Sequence, residues 1–374
     1  MEIYLDNAAT SHPKPPEVIS AVCEALTELN GNPGRSGHKR ALAGARRMNE
    51  CRETLAGFIG CGQVGRLSFC FNCTDALNLA IKGVLRRGDH VVSTLLEHNS
   101  VLRVLEELRR AGQIEVTLLE PRGHFVEPEQ FERALKKNTR LAVVTQASNV
   151  TGALQPAAAI CRAMKRQGVF SLVDGAQAIG HLPVDVRGLG CDLYAFPGHK
   201  GLLGPQGTGG LYAACPLRPL REGGTGSTSD QMTQPRDLPD RYESGTMNLP
   251  GLSGLWAGVR LVQAHQAAYL QNERERTAEL LEGLRGLPGA IVYGPQDEAD
   301  RVGVVSFNLG DYESSFVADY LDRQGIAVRG GLHCAPGVHR LLGTLSRGAV
   351  RASVGRLTAS EDIQALLRAL RTLS

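Results

Sequence analysis

Between residues 66 and 213 short apolar runs alternate with stretches of helical periodicity, and few folds besides a parallel sheet covered by helices can bury that pattern. The runs at 66–71, 90–94, 141–145, 169–173 and 191–196 read as strands buried on both faces, because they are continuously apolar instead of alternating. Helices are predicted over 100–111 and 156–167. Residues 217–248 break the rhythm: rich in Gly, Ser, Thr, Pro and charge, they read as a long irregular connection, which in a compact protein is usually functional or disordered. A long helical stretch follows over 249–284, then strand (302–309), helix (314–323), strand (326–329), strand (350–354) and helix (361–370). A chain of 374 residues is too long for one ordinary core. The prediction is an α/β protein with a large, mostly parallel-sheet domain over 15–250. Residues 1–14 and 251–374 form a smaller α+β domain, with the first helix packed against it.

Composition narrows the function classes. With 42% hydrophobic and 21% charged residues the chain is globular, and a net charge of +3 without a long Lys/Arg run gives no nucleic-acid surface. Arginine pairs such as Arg46–Arg47 and Arg109–Arg110 read as solvated helix faces. No stretch approaches the roughly 20 apolar residues that cross a bilayer, and the N-terminus lacks the basic-then-apolar pattern of a secretory signal, so a cytoplasmic protein is expected. Nine cysteines at irregular spacing fit reduced thiols. Cys70 and Cys73 form a C-x-x-C pair, but no second pair completes a zinc site, so a strand end is expected there and no metal.

The chemistry concentrates between Asp174 and Lys200. Each follows an apolar run, so both should emerge at carboxyl ends of strands, where open α/β sheets bind ligands. Pyridoxal phosphate needs a lysine for its Schiff base and an anion for its pyridinium nitrogen, and Lys200 and Asp174 supply that pair. Either alone would be an ordinary surface lysine or strand-end aspartate; together they point to the cofactor. A phosphate needs backbone amides at a helix start plus hydroxyls, and Asn72-Cys73-Thr74-Asp75 stands between a strand and a helix, with Thr74 expected as cap and ligand. His98 follows another strand and could stack on a ring. Cys334 lies in a Gly-rich loop, Arg329-Gly-Gly-Leu-His333-Cys334, where Arg329 and His333 could favour a thiolate; from these residues alone it is either a nucleophile or a structural cysteine.

The motifs Tyr4-Leu-Asp-Asn-Ala-Ala9, Glu97-His98, Ser148-Asn149-Val-Thr-Gly152, Asp174-Gly-Ala-Gln177, Gly198-His199-Lys200 and Glu243-Ser-Gly-Thr246 resemble, in order and spacing, those of class V aminotransferase-fold enzymes of the cysteine desulfurase and selenocysteine lyase family. The resemblance runs from residue 4 to residue 353. It implies the pyridoxal-phosphate-dependent transferase fold of the aspartate aminotransferase type. It also implies a desulfurase that turns L-cysteine into L-alanine and passes the sulfur to an enzyme cysteine as a persulfide. The alternatives are a selenocysteine lyase, or an aminotransferase or β-lyase without persulfide chemistry; a metal-binding sulfur-relay scaffold is a non-catalytic rival. By the resemblance Lys200 carries the cofactor, Asp174 faces its ring nitrogen, and Gln177 and Asn149 contact the ring oxygen and substrate side. His98 stacks on the ring and shuttles protons, and Cys73, Thr74 and His199 lie at the phosphate end. Thr246 reaches the phosphate of a neighbouring subunit, which implies a homodimer. Arg351 grips the substrate carboxylate with help from Arg329, Cys334 takes the sulfur, and a sulfur-acceptor protein is a possible partner. The loop is similar to the Arg-x-Gly-His-His-Cys-Ala motif of the family's second, Suf-type group, with Leu332 in place of the first histidine. Pro197 stands where many relatives carry a phosphate-binding serine, and Cys73 where a threonine is common.

Overall fold

The computed structural model describes residues 3–33 and 37–373. After β1 (Ile3–Tyr4), α1 (Pro16–Thr27) and α2 (Lys39–Phe58) the chain enters the predicted alternation. There β2 (Leu67–Cys70), α3 (Cys73–Val84), β3 (Asp89–Thr94), α4 (Asn99–Arg110), β4 (Ile114–Leu119), α5 (Pro128–Arg133) and β5 (Thr139–Thr145) follow one another. They are succeeded by α6 (Ala157–Arg166), β6 (Phe170–Asp174), α7 (Val186–Leu189), β7 (Leu193–Pro197) and β8 (Gly209–Ala213). These strands make a seven-stranded sheet in the order β2-β8-β7-β6-β5-β3-β4, in which only β8 runs against its neighbours.

The sheet is covered on both faces, which is why its strands show no period-two signal. Val92, Ala142, Val144, Val173 and Tyr194 enter one apolar cluster together with residues of α2 and α6. Their chain neighbours Val91, Leu141, Val143, Leu172 and Leu193 enter the other, with α3 and α4. Strands β4 and β8 were not legible as strands. β4 is an edge strand with mixed exposure, and β8 opens on Gly209 and Gly210. Those glycines are forced by packing, since a Cβ on either would run into Phe196 of the adjacent β7.

No regular element interrupts the stretch between β8 and α8 (Leu249–Arg285), as expected from its composition. It is nevertheless pinned: Glu243 makes a buried two-point ion pair with Arg52, at 2.6 and 2.9 Å, and accepts the Phe69 N–H at 2.7 Å. Removing one partner of such a pair strands a buried charge, at a cost of about 3–5 kcal/mol.

The remaining elements are β9 (Ala290–Tyr293), β10 (Val304–Leu309), α9 (Ser314–Asp322), β11 (Ile326–Ala327), β12 (Arg329–Gly331), α10 (Pro336–Leu341), β13 (Ala349–Ser353) and α11 (Ser360–Arg371). They build an antiparallel four-stranded sheet, β12-β13-β10-β9, and β1 pairs with β11 beside it. Helix α8 belongs to both cores. Leu249, Leu252, Leu255 and Val259 pack under the large sheet, whereas Leu280, Leu281 and Leu284 pack with the small one. Between them the backbone departs from helical geometry at His265. Helix α1 lies along α8, where Gly254 leaves room for Val22. Among the described residues no helix is long and apolar enough to cross a membrane.

Candidate active site

A cavity of about 260 Å³ opens where the strands of the large sheet end at their carboxyl termini, the position at which open α/β sheets hold ligands. Ten residues singled out from the sequence line it: Cys73, Thr74, His98, Asn149, Asp174, Gln177, His199, Lys200, Arg329 and Arg351. Cys334 and Thr246 do not.

Asp174 is the last residue of β6 and is 3% exposed. Its Oδ1 accepts the Ala176 N–H at 2.9 Å and lies 3.5 Å from the Cys73 thiol. Burial pushes this carboxyl up, and among the described residues no cation is bonded to it. An N–H⁺ donor in the cavity would relieve that penalty. Burial, reinforced by the nearby Arg351 charge, pulls the Lys200 amine down to about 8. Gln177 donates to the Ala8 carbonyl at 3.0 Å, and its amide oxygen accepts no hydrogen bond among the described residues.

The helix start beside this pair differs from the sequence expectation. Asn72, and not Thr74, caps α3 by accepting the Asp75 N–H at 2.9 Å. The N–H groups of Cys73 and Thr74 are left without a protein acceptor among the described residues, and they stand at the positive end of the helix. The Thr74 hydroxyl lies 2.7 Å from that of Ser100, which in turn lies 2.9 Å from His98 Nδ1. Ser100 lines the cavity and so supplies a hydroxyl although Pro197 has none. His98 caps α4: its Nδ1 accepts the Ser100 N–H at 3.0 Å, so the neutral ring carries its proton on Nε2. Burial holds this imidazole near 4, hence uncharged at neutral pH. His199 is pulled down to about 4 by burial too, and its Nδ1 is buried without a partner among the described residues.

On the opposite wall Arg329 and Arg351 face each other across β12 and β13. Arg351, 2% exposed, binds Asp6 Oδ1 at 2.7 Å and the Asn149 carbonyl at 3.2 Å, and its Nε is buried and unpartnered among the described residues. Two guanidinium groups against one carboxylate leave a surplus positive charge that suits a second carboxylate.

Cys334 is exposed and follows His333, which lines the cavity. The loop that carries it is held at three points. Asn149 donates to the His333 carbonyl at 2.6 Å, the Asn99 N–H donates to the Cys334 carbonyl at 2.7 Å, and Gly337 packs so closely on the Leu95 carbonyl that a Cβ would collide. The backbone of Cys334 is therefore tied to the start of α4, next to His98. The expectation that His333 lends the thiol positive charge fails: His333 Nε2 donates to the Ala349 carbonyl at 3.0 Å, and burial lowers the ring to about 2. Leu332 is exposed and does not line the cavity, so its departure from the family motif leaves the cavity lining untouched. Thr246 lies in a separate surface hollow with Phe71 and Arg221. The Cys70–Cys73 pair is a strand end and helix start, and no group of three or more metal-ligating side chains gathers among the described residues.

The capping role of Asn72 and the place of Ser100 in the cavity lining were not anticipated from the sequence. The first was discoverable from its capping spacing to Asp75, the second from its place in the first turn after His98.

The donor set fits pyridoxal phosphate: an anion for a ring nitrogen, an amine for an aldehyde, and unpartnered amides with hydroxyls for a phosphate. Capture of the cofactor by cofactor-free protein should accelerate as pH rises through about 8, because only the neutral Lys200 amine attacks and the ammonium that predominates at lower pH does not. Stopped-flow absorbance would measure it, and a rate flat from about pH 7 to 9 would contradict the depressed lysine.

Comparison with known proteins converges on the same chemistry. The family described as "Aminotransferase class-V" matches residues 3–366. A probable cysteine desulfurase of Methanothermobacter thermautotrophicus is 37% identical, over 97% of this chain and 92% of its own. A cysteine desulfurase of Pectobacterium carotovorum is 35% identical, over 99% and 92%. The solved apo structure of a cysteine desulfurase from Thermococcus onnurineus superposes with a TM-score of 0.92 at 31% identity, covering 100% of this chain and 94% of its own.

Proposed function

The chain belongs to the class-V aminotransferase family, and on that premise we propose that it is a pyridoxal-phosphate-dependent cysteine desulfurase, converting L-cysteine to L-alanine and retaining the sulfur as a persulfide on Cys334. One observation carries the reading: an exposed thiol, Cys334, follows the lining residue His333 on a loop anchored to the wall of the Lys200–Asp174 cavity.

Lys200, Asp174, Gln177, His98, Asn149, His199, Cys73 and Thr74 would hold the cofactor. Bound pyridoxal phosphate supplies the electron sink that makes the substrate Cα proton acidic. Arg351 and Arg329 take the substrate carboxylate and so fix which way its side chain points. Lys200, with its depressed basicity, accepts the Cα proton. His98 covers one side with a donor Nε2–H, its Nδ1 being already engaged. Cys334, as thiolate, attacks the substrate sulfur: the S–S bond forms, the Cβ–S bond breaks, and the electron pair stays on carbon. The proton that Cys334 gave up matches the one that carbon takes, so cysteine and thiol become alanine and persulfide without an outside reductant.

The same proposal includes a homodimer, in which the exposed Thr246 and Phe71 face a second copy. It also includes a cytoplasmic setting, in keeping with nine free thiols, and a sulfur acceptor that meets the exposed Cys334. The test is product stoichiometry on the holoenzyme. Alanine and enzyme-bound or reducible sulfur should appear one to one from L-cysteine, with L-selenocysteine as a parallel arm. A keto acid in place of alanine would transfer the chain to aminotransferase or β-lyase chemistry.

A further inference from the structure

Resting on the desulfurase reading, we infer that His339 is a positioning residue for the sulfur-accepting thiol: paired with His333 in a neutral imidazole couple beneath the loop, it fixes the backbone that carries Cys334.

His339 lies on α10 and is 0% exposed, and no step above uses it. Its ring stands 5.5 Å from that of His333, centroid to centroid, tilted by 47°. Each ring has one nitrogen engaged outside the pair: His333 Nε2 with the Ala349 carbonyl at 3.0 Å, and His339 Nδ1 with the Thr344 hydroxyl at 2.8 Å. The remaining nitrogens, His333 Nδ1 and His339 Nε2, are both buried without a partner among the described residues.

Their chemistry is complementary. A carbonyl only accepts, so His333 carries its proton on Nε2 and presents a lone pair at Nδ1. The Thr344 hydroxyl lies 2.8 Å from His339 Nδ1 and 3.5 Å from the His339 carbonyl; with its proton on the nearer acceptor, the His339 proton sits on Nε2 and becomes the donor that this lone pair lacks. In the alternative tautomer both unpartnered nitrogens are acceptors and neither ring can satisfy the other, which is costly. The two nitrogens make no direct hydrogen bond in this structure; a small approach of the rings, or one buried water that accepts from His339 Nε2 and donates to His333 Nδ1, completes the pair. The chain it closes runs from Thr344 through both rings to Ala349, two residues from Arg351 in β13.

The couple matters because of what it supports. His333 and Cys334 have φ of 49° and 57°, consecutive residues in the left-handed region that side chains disfavour. Such a conformation persists only where its surroundings hold it. His333 is the held residue, by its ring below and by Asn149 at its carbonyl. Loss of the His339 donor should loosen the ring and let the next residue, the thiol carrier, drift from its place next to the cavity lining.

The experiment compares wild type, His339→Leu and His339→Gln as holoenzymes; glutamine keeps an N–H donor where the imidazole has Nε2. Two rates are followed: the cofactor absorbance change on adding L-cysteine, which precedes the thiol's step, and persulfide formation on Cys334 by mass spectrometry in a single turnover. His339→Leu should slow persulfide formation about 10- to 100-fold with the absorbance change within about twofold of wild type, and His339→Gln should recover most of the loss. An unchanged persulfide rate in His339→Leu, an equal slowing of both rates, or no rescue by glutamine would overturn the inference. Should His339→Leu not fold, Thr344→Val, which frees the tautomer, should slow the same step severalfold, and no slowing would overturn the inference. Absence of persulfide in the wild type would instead defeat the desulfurase reading itself.

Discussion

Lys200→Ala should yield a folded protein with no absorbance band from lysine-bound pyridoxal phosphate and with desulfurase activity lower by at least about 10²–10⁴-fold, the usual worth of a positioned acid–base group. Lys200 combines covalent attachment of the cofactor with the base function, so a single substitution removes both. The lysine emerges after β7 into a cavity whose shape is set by neighbouring strand ends, and folding does not depend on it. Circular dichroism and thermal melting should therefore match the wild type. Borohydride reduction and peptide mapping of the wild type provide the positive control: the tag must fall on Lys200. A retained band in Lys200→Ala would assign the cofactor elsewhere and undo the proposed chemistry.

Cys334→Ala should separate the halves of the reaction. The substrate still meets Arg351, Arg329 and Lys200, so L-cysteine should still perturb the cofactor spectrum. Persulfide should not form, and alanine production from cysteine should fall by about 10²-fold or more, as expected when an activated nucleophile is deleted. Eight other thiols remain: Cys23 is exposed on α1, outside the cavity lining, and of the seven buried ones only Cys73 lines the cavity, where burial and the Asp174 carboxylate push its thiol well up and keep it from acting as a thiolate. Wild-type turnover in Cys334→Ala would remove Cys334 from the mechanism.

Much of this arrangement was legible in the sequence because strand-to-ligand geometry is local. Asp174 and Lys200 each follow an apolar run, and a parallel sheet must bring such ends to one edge. Opposed charges were less legible: Arg329 and Arg351 stand far apart in the chain and face each other only because β12 and β13 pair antiparallel. The cap of α3 was misread because Thr74 and Asn72 are both good caps, and the choice depends on which side chain reaches the Asp75 N–H. His333 was expected to be charged, but burial cannot be read from its polar, Gly-rich neighbours. The glycines of β8 conceal a strand whose composition is dictated by its neighbours, the Phe196 carbonyl and Asn72 backbone at Gly209 and the Phe196 ring at Gly210. His339 carries no local signal, since its meaning comes from the ring it meets across the loop.

The long helix α8 has a mechanical corollary. Its first half is embedded under the sheet that presents Lys200, and its second half under the sheet that presents Arg351. It thus acts as a common axle for both walls of the cavity. A change of bend at His265 would swing the arginine wall relative to the lysine wall, so residues far from any reacting atom help set the gauge of the site.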